Sequence, residues 1–201
     1  AIGENLEAIE GEYTKEPAFG MTAIWIKEDQ REKAESLGYT VVDPPSIIST
    51  HIQELIKEHA SEILGREEVN KIIDNVKADY PALVEDVTAE YKRAKIHKIL
   101  QELLVEGVSI RDMSTILETL SDHTSATPSF DLVEYIRYAL RRAICSKFID
   151  EDNKIYVLRF LPEIENEIYK NLSNGDDGAP VISLRPNYIF KLQASVIDIL
   201  A

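Results

Sequence analysis

The side chains able to do chemistry are few, and their spacing does not suit it. His51 and His59 lie eight residues apart, with Glu54, Glu58 and Glu62 beside them, so a metal ion is one imaginable occupant. The H-E-x-x-H spacing and any further ligand are missing, which leaves a packing or surface role for both imidazoles; no metal and no cofactor is expected. His97 and His123 have no neighbouring nucleophile or positioned acid. Cys145 falls at the C-terminal end of a helical pattern, without the helix N-terminus or cationic pocket that activates a thiol. The 8 glycines are scattered, and none stands in a phosphate-cradling G-x-G-x-x-G or G-x-x-x-x-G-K context. A hydrolase or transferase with an acidic cleft would need a convergent carboxylate pair. Spacing shows none, and a solvated face accounts for the acidic residues more simply. The residues give no enzyme.

Composition narrows the partners. With 201 residues and 44% hydrophobic content the chain can bury a core, in one large domain or two to three small ones. The 36 acidic against 22 basic residues give a formal charge of −14, which repels phosphate backbones and anionic headgroups, so nucleic acid is not an expected partner. No apolar run approaches the roughly 20 residues of a spanning helix. The start, AIGENLEAIEGEY, has no basic and apolar leader pattern. A single cysteine forms no internal disulfide, and a reducing, cytosolic setting fits.

The elements alternate between small α/β units and helices. AIWI (Ala23–Ile26) reads as a strand, KEDQREKAESLG as an exposed helix stopped at Gly38, and YTVVD as a second strand. Pro44 and Pro45 break that strand, and Ser46 is the expected N-cap of a helix whose face is Ile48, Ile52, Leu55, His59 and Ile63, ended by Gly65. From Arg66 to about Ala143 the period is helical: Val69, Ile72, Ile73 and Val76 form one stripe, and Ile96, Ile99, Leu100, Leu103 and Leu104 another. Ser109 with Asp112 predicts a capping box before Ile110, Met113, Ile116, Leu117 and Leu120. TSATPS is a loop, followed by a helix through Leu132, Val133, Ile136, Ala139, Leu140 and Ile144. Beyond Phe148, DEDN predicts a turn, KIYVLRF a strand, Pro162 a helix start, NGDDG a turn and VISL a strand. The last helix, Pro186 to Leu200, ends without a cap, and two strands with two helices are few for an independent α/β domain, so the chain is expected to be cut within this unit. The fold class expected is α+β, predominantly helical: a small α/β subdomain over 1–43, a connecting helix over 44–64, an all-helical subdomain over 65–143, and part of a C-terminal α/β subdomain over 144–201.

Three blocks carry a resemblance: EPAFGMTAIWI (Glu16–Ile26), GYTVVDPPSIISTHIQELI (Gly38–Ile56) and VSIRDMSTILETL (Val108–Leu120), supported by ILGREEV and YPALVEDV. Together they resemble the FHIPEP family of type III protein export gates, in its flagellar branch; the other branch serves virulence injectisomes. The match weakens after about residue 148. The resemblance implies a non-enzymatic cytoplasmic part made of four subdomains. The chain would begin in the second, return through the Ser46 to Leu64 helix to the first, cross the all-helical third and stop within the fourth. It further implies a place at the cytoplasmic face of the bacterial inner membrane, beneath a membrane part, and a nine-membered ring of copies. The implied partners are export chaperones with bound flagellar substrates and other export apparatus proteins, the associated ATPase complex among them. Alternatives are the equivalent injectisome subunit and a purely structural ring subunit. In the flagellar branch the chaperones dock at a hydrophobic dimple whose acidic residue and Phe lie in a D-P-A-F-G block and whose Thr lies in an A-T-H-L block. Those positions fall on Glu16, Phe19 and Thr50, with Glu in place of Asp and Ser49 before Thr50. The residues alone place Phe19 in the core, since buried aromatics are the commoner case; the resemblance makes it an exposed anchor. Ile24 and Trp25 read as strand core, Glu16 as a group that orients a polar or basic group of the chaperone, and Thr50 as a hydroxyl at the start of its helix.

Overall fold

Two short β-competent runs flank Pro17–Gly20, and they pair. In the computed structural model, which describes residues 1–3, 9–175 and 180–200, strand β1 (Glu12–Lys15) is antiparallel to β2 (Thr22–Trp25), with Glu12 opposite Trp25 and Lys15 opposite Thr22. Gly11 makes the approach possible, because a Cβ there would lie 2.1 Å from the carbonyl oxygen of Trp25. Residues 1–3 run along the other edge of β2, where the Ile24 N–H donates to the Ala1 carbonyl at 2.8 Å. Ile2 exchanges two backbone hydrogen bonds with Thr40 in turn.

That exchange is all that forms of the strand expected over YTVVD: only Thr40 pairs, and Val41–Asp43 lead straight into a helix. The strand that completes the hairpin is β1, which periodicity did not single out. A 3-10 turn (Glu28–Gln30) opens into α1 (Arg31–Ser36), as the charged run predicts.

Helix α2 (Pro44–Glu58) begins earlier than a Ser46 cap requires. Asp43 is the N-cap, and its carboxylate accepts the Ser46 hydroxyl at 2.6 Å and the Ser46 N–H at 3.4 Å. Pro44, which lacks an N–H, takes the first helical position at no cost. The Ser46 hydrogen bonds hold the Asp43 carboxyl below its ordinary value. The helix breaks at His59 and resumes as the single turn α3 (Ala60–Ile63). Ile48, Ile52, Leu55 and Ile63, the face read from periodicity, are all exposed.

The chain divides into two compact units, residues 1–65 and 66–201. In the second, α4 (Arg66–Asp79), α5 (Pro81–Glu90), α6 (Arg93–Val105), α7 (Met113–Ser121), α8 (Ser129–Ala139) and the short α9 (Arg141–Cys145) follow one another. α7 packs against α4, α5 and α8, and α6 bridges α4 and α8. Their shared interior holds Val69, Ile73, Ile96, Ile99, Leu100, Leu103, Ile116, Leu117, Leu120, Leu132 and Ile136, all buried and all read from the helical period. Leu140 interrupts the last expected helix and separates α8 from α9.

The loop from α7 to α8 is tied down from below. Lys95 donates to the carbonyls of Ser125 and Thr127, each at 2.7 Å, and the buried Tyr91 hydroxyl donates to the His123 carbonyl at 2.9 Å. The Ser125 N–H donates to Glu90 and holds that carboxyl below its ordinary value.

No capping box forms around Ser109. Asp112 itself is the N-cap of α7, accepting the Thr115 N–H at 3.2 Å and the Thr115 hydroxyl at 2.8 Å, while the Ser109 hydroxyl accepts the Arg111 N–H. Hydrogen bonds from the Thr115 hydroxyl and then its N–H hold the Asp112 carboxyl below its ordinary value. A depressed folded value means stability that is complete above the unfolded carboxylate value and is lost as pH falls through the folded one. Asp112→Ala is therefore expected to cost about 1 kcal/mol at neutral pH, a loss that shrinks in acid. Denaturant melts at neutral and acidic pH check this, and a loss independent of pH would refute it.

Beyond α9 the chain is thinly covered. Asp150 organises the DEDN turn, and α10 (Pro162–Lys170) starts at Pro162 as expected. KIYVLRF forms no strand. Its residues are exposed, and the strands that do pair are β3 (Leu172–Asn174) and β4 (Pro180–Ile182), so VISL contributes only its first two residues. The turn expected at NGDDG falls mostly outside the described residues. α11 (Pro186–Leu200) follows β4. Among the described residues none beyond Leu140 is buried, and no helix is long and apolar enough to cross a membrane. The fold is predominantly helical α+β.

Candidate functional site

The four residues Pro17–Gly20 link β1 to β2, and their main chain turns around Glu16. The Glu16 N–H donates to the Met21 carbonyl at 2.8 Å, closing the hairpin, and the Gly20 N–H returns to the Glu16 carbonyl at 2.9 Å. Gly20 sits at φ +69°, a left-handed conformation that a residue with a Cβ adopts at a cost. The Glu16 side chain folds back over the same turn: Oε1 accepts the Ala18 N–H and Oε2 the Phe19 N–H, both at 2.8 Å. At 5% exposure Glu16 is the one buried charged side chain among the described residues. Charge-assisted bonds to two amides make that burial tolerable.

The turn leaves Phe19 61% exposed, with the half-exposed Met21 next to it in sequence beyond Gly20. Trp25 departs from the expectation of strand core: Ile24 is 1% exposed and Trp25 48%. Successive strand residues face opposite sides, and on the Trp25 side Ala23 is buried while Trp25, at the end of the strand, is half-exposed. Met21 beside the turn and Trp25 at the far end of β2 are thus exposed apolar residues that periodicity did not flag. The signal available was P-A-F-G between two β-competent runs, a hairpin loop whose flanks follow a two-residue period.

A cavity of about 120 Å³ lies where the hairpin meets the start of α2, lined by Lys15, Glu16, Pro17 and Trp25 on one side and Pro44 and Ile47 on the other. Thr50 stands one turn beyond Ile47, half-buried and in the second turn of α2, so its hydroxyl is not at the helix start. Neither Phe19 nor Thr50 lines the cavity. The structure joins Glu16 to Phe19 by a hydrogen bond, and Glu16 lines the same cavity as the first turn of the helix that carries Thr50. Arg31, on the cavity wall, is paired with Glu35 at 3.0 Å.

His59 Nδ1 lies 3.3 Å from Glu62, and His123 stacks on Tyr135 with ring centroids 4.3 Å apart. Among the described residues no cluster of three His, Cys, Asp or Glu side chains is placed to hold a metal. Cys145 is exposed.

Comparison with known proteins gives one consistent result. The family model described as "FHIPEP family" matches residues 1–201. The flagellar biosynthesis protein FlhA of Borreliella burgdorferi is 46% identical over 161 residues, 80% of this chain and 23% of its own length. FlhA of Bacillus subtilis is 42% identical over 192 residues, 94% of this chain and 28% of its own length. The chain thus spans about a quarter of the curated relatives it matches. Among solved structures, the Chlamydia pneumoniae CdsV protein is similar with a TM-score of 0.82 at 26% identity, covering 98% of this chain and 58% of that one. CdsV in complex with CdsO, from the same organism, gives 0.78 at 28%, covering 88% and 52%. The nonameric EscV cytosolic domain of a type III secretion system gives 0.63 at 28%, covering 76% and 46%.

Proposed function

The chain belongs to the FHIPEP family, and from that premise we propose that it is part of the cytoplasmic portion of a flagellar type III export gate. In this reading it docks chaperones carrying flagellar substrates at the hairpin turn and passes the substrates toward the membrane gate at the inner membrane. One observation carries it: at the position where the family resemblance requires an anchor, Phe19 is 61% exposed on a turn whose main-chain N–H groups are all bonded. An aromatic held in solvent by an ordered backbone has the properties of an interface hot spot. Thr50 and the cavity between the hairpin and α2 complete the docking surface.

The flagellar branch is favoured over the injectisome by the relatives themselves, since the curated matches bear a flagellar name at up to 46% identity, while the solved CdsV and EscV structures, which bear none, reach 28%. The nonameric EscV domain supports a nine-membered ring for the whole protein, and the CdsV and CdsO complex supports further export-apparatus partners. The proposal extends to the four-part division over 1–43, 44–64, 65–143 and 144–201. A purely structural ring subunit is the competing reading.

Titration calorimetry of the chain against a flagellar chaperone bound to its filament-class substrate tests docking. Saturable heat is expected. No binding, either by this chain or by a longer fragment that includes the whole first subdomain, would overturn the reading.

A further inference from the structure

An acidic residue on a docking surface works in one of two ways: it meets a group on the partner, or it shapes the surface and never touches the partner. The two differ in what its oxygens do before a partner arrives. A contact residue keeps a carboxylate oxygen turned to solvent. Glu16 is 5% exposed, and each of its carboxylate oxygens already accepts a main-chain N–H at 2.8 Å.

The donors of the loop can be accounted for completely. Pro17 has no N–H. The N–H groups of Ala18 and Phe19 end on the Glu16 carboxylate, and that of Gly20 ends on the Glu16 carbonyl at 2.9 Å. The Glu16 N–H itself closes the hairpin on Met21. Every N–H of the Pro17–Gly20 loop is therefore satisfied by one residue, and Phe19 is attached to that hub through its own N–H.

We propose that Glu16 is a positioning residue: it fixes the Pro17–Gly20 turn that presents Phe19, and it acts on a partner only through Phe19. This rests on the docking reading given above. The length of the side chain matters for this task. A carboxylate shortened by one methylene must reach two consecutive N–H groups from nearer the main chain, and a carboxamide offers one acceptor while turning its NH2 toward the second donor. Glu16→Asp is thus expected to keep part of the function, Glu16→Gln less, and Glu16→Ala least.

A double-mutant cycle separates positioning from contact. Affinities for the chaperone–substrate complex are measured for the wild-type chain, Glu16→Ala, Phe19→Ala and the double variant. Glu16→Ala is expected to weaken binding about tenfold, and the double variant to bind no more weakly than Phe19→Ala alone. Losses that add, or a Glu16→Ala loss that shrinks as salt is raised, would identify a direct ionic contact and overturn the proposal. A second measurement needs no partner. In Glu16→Gln, amide hydrogen exchange at Ala18 and Phe19 is expected to accelerate while the β1–β2 pairs stay protected, with Trp25 fluorescence confirming that the hairpin is folded. Exchange as slow as in the wild type would overturn the proposal even with no binding data. Unchanged affinity in Phe19→Ala would defeat the docking reading instead, and the exchange result would still decide what Glu16 does to the turn.

Discussion

Phe19→Ala is expected to weaken the complex with a chaperone–substrate pair about 30-fold, on the order of 2 kcal/mol, while the melting temperature stays close to that of the wild type. The asymmetry follows from where the ring is. At 61% exposure it contributes little to the protein's own interior, so its removal belongs with surface substitutions, which usually fall within about 0.5 kcal/mol. A partner that buried the ring would gain the transfer free energy that the monomer leaves unused. Calorimetry on the two chains, with circular dichroism on both, separates affinity from folding. A mutant that melts early yet binds normally would return Phe19 to a structural role and favour the ring-subunit reading.

The largest effect on stability is expected at Leu120. It is fully buried on α7, the helix that packs against α4, α5 and α8 at once. Leu120→Ala removes methyl groups from an interior where α7 meets three helices, none of which can collapse inward without leaving the others, and such sites lose about 2–5 kcal/mol. For a unit of this size that lowers the melting temperature by on the order of 10 °C. Val105 provides the contrast: it belongs to the same helical unit but is 74% exposed at the end of α6, and Val105→Ala should be nearly silent. Thermal melts followed by far-ultraviolet circular dichroism test both, and a silent Leu120→Ala would mean that α7 does not hold the helical unit together.

The helices were legible because their signal is local. Ile96, Ile99, Leu100 and Leu103 repeat every three or four residues whatever lies across from them, and all four are buried. Strands carry no such guarantee. KIYVLRF has the composition of a strand and stays unpaired, because a strand exists only when another backbone segment supplies its hydrogen bonds, and that is not written in its own residues. YTVVD failed for the same reason beyond Thr40. The helix caps were displaced by a few residues: where Ser and Asp stand within three residues of each other, either polar side chain fits the motif, and the backbone angle at Asp43 or at Asp112 decides. At the candidate site, residue identity and the exposure of Phe19 came with the resemblance, and the half-exposure of Trp25 did not. That Trp25 is half-exposed while Ala23 on the same face is buried depends on how far along the hairpin its neighbours reach, which its own residues do not state. The turn of the Glu16 carboxylate onto its own loop is a three-residue geometry that spacing does not show.

Because the N–H groups of the Pro17–Gly20 turn are bonded throughout in the free chain, its order exists before any encounter. A loop that had to freeze on contact would lose conformational entropy at that moment, with a slower, conformation-limited association. Here that loss belongs to folding, so association at this turn should proceed at the ordinary rate for two rigid patches, and variants of the surface should differ in how long the complex lasts rather than in how often it forms. Under the docking reading, residence time is then the quantity left for selection to adjust.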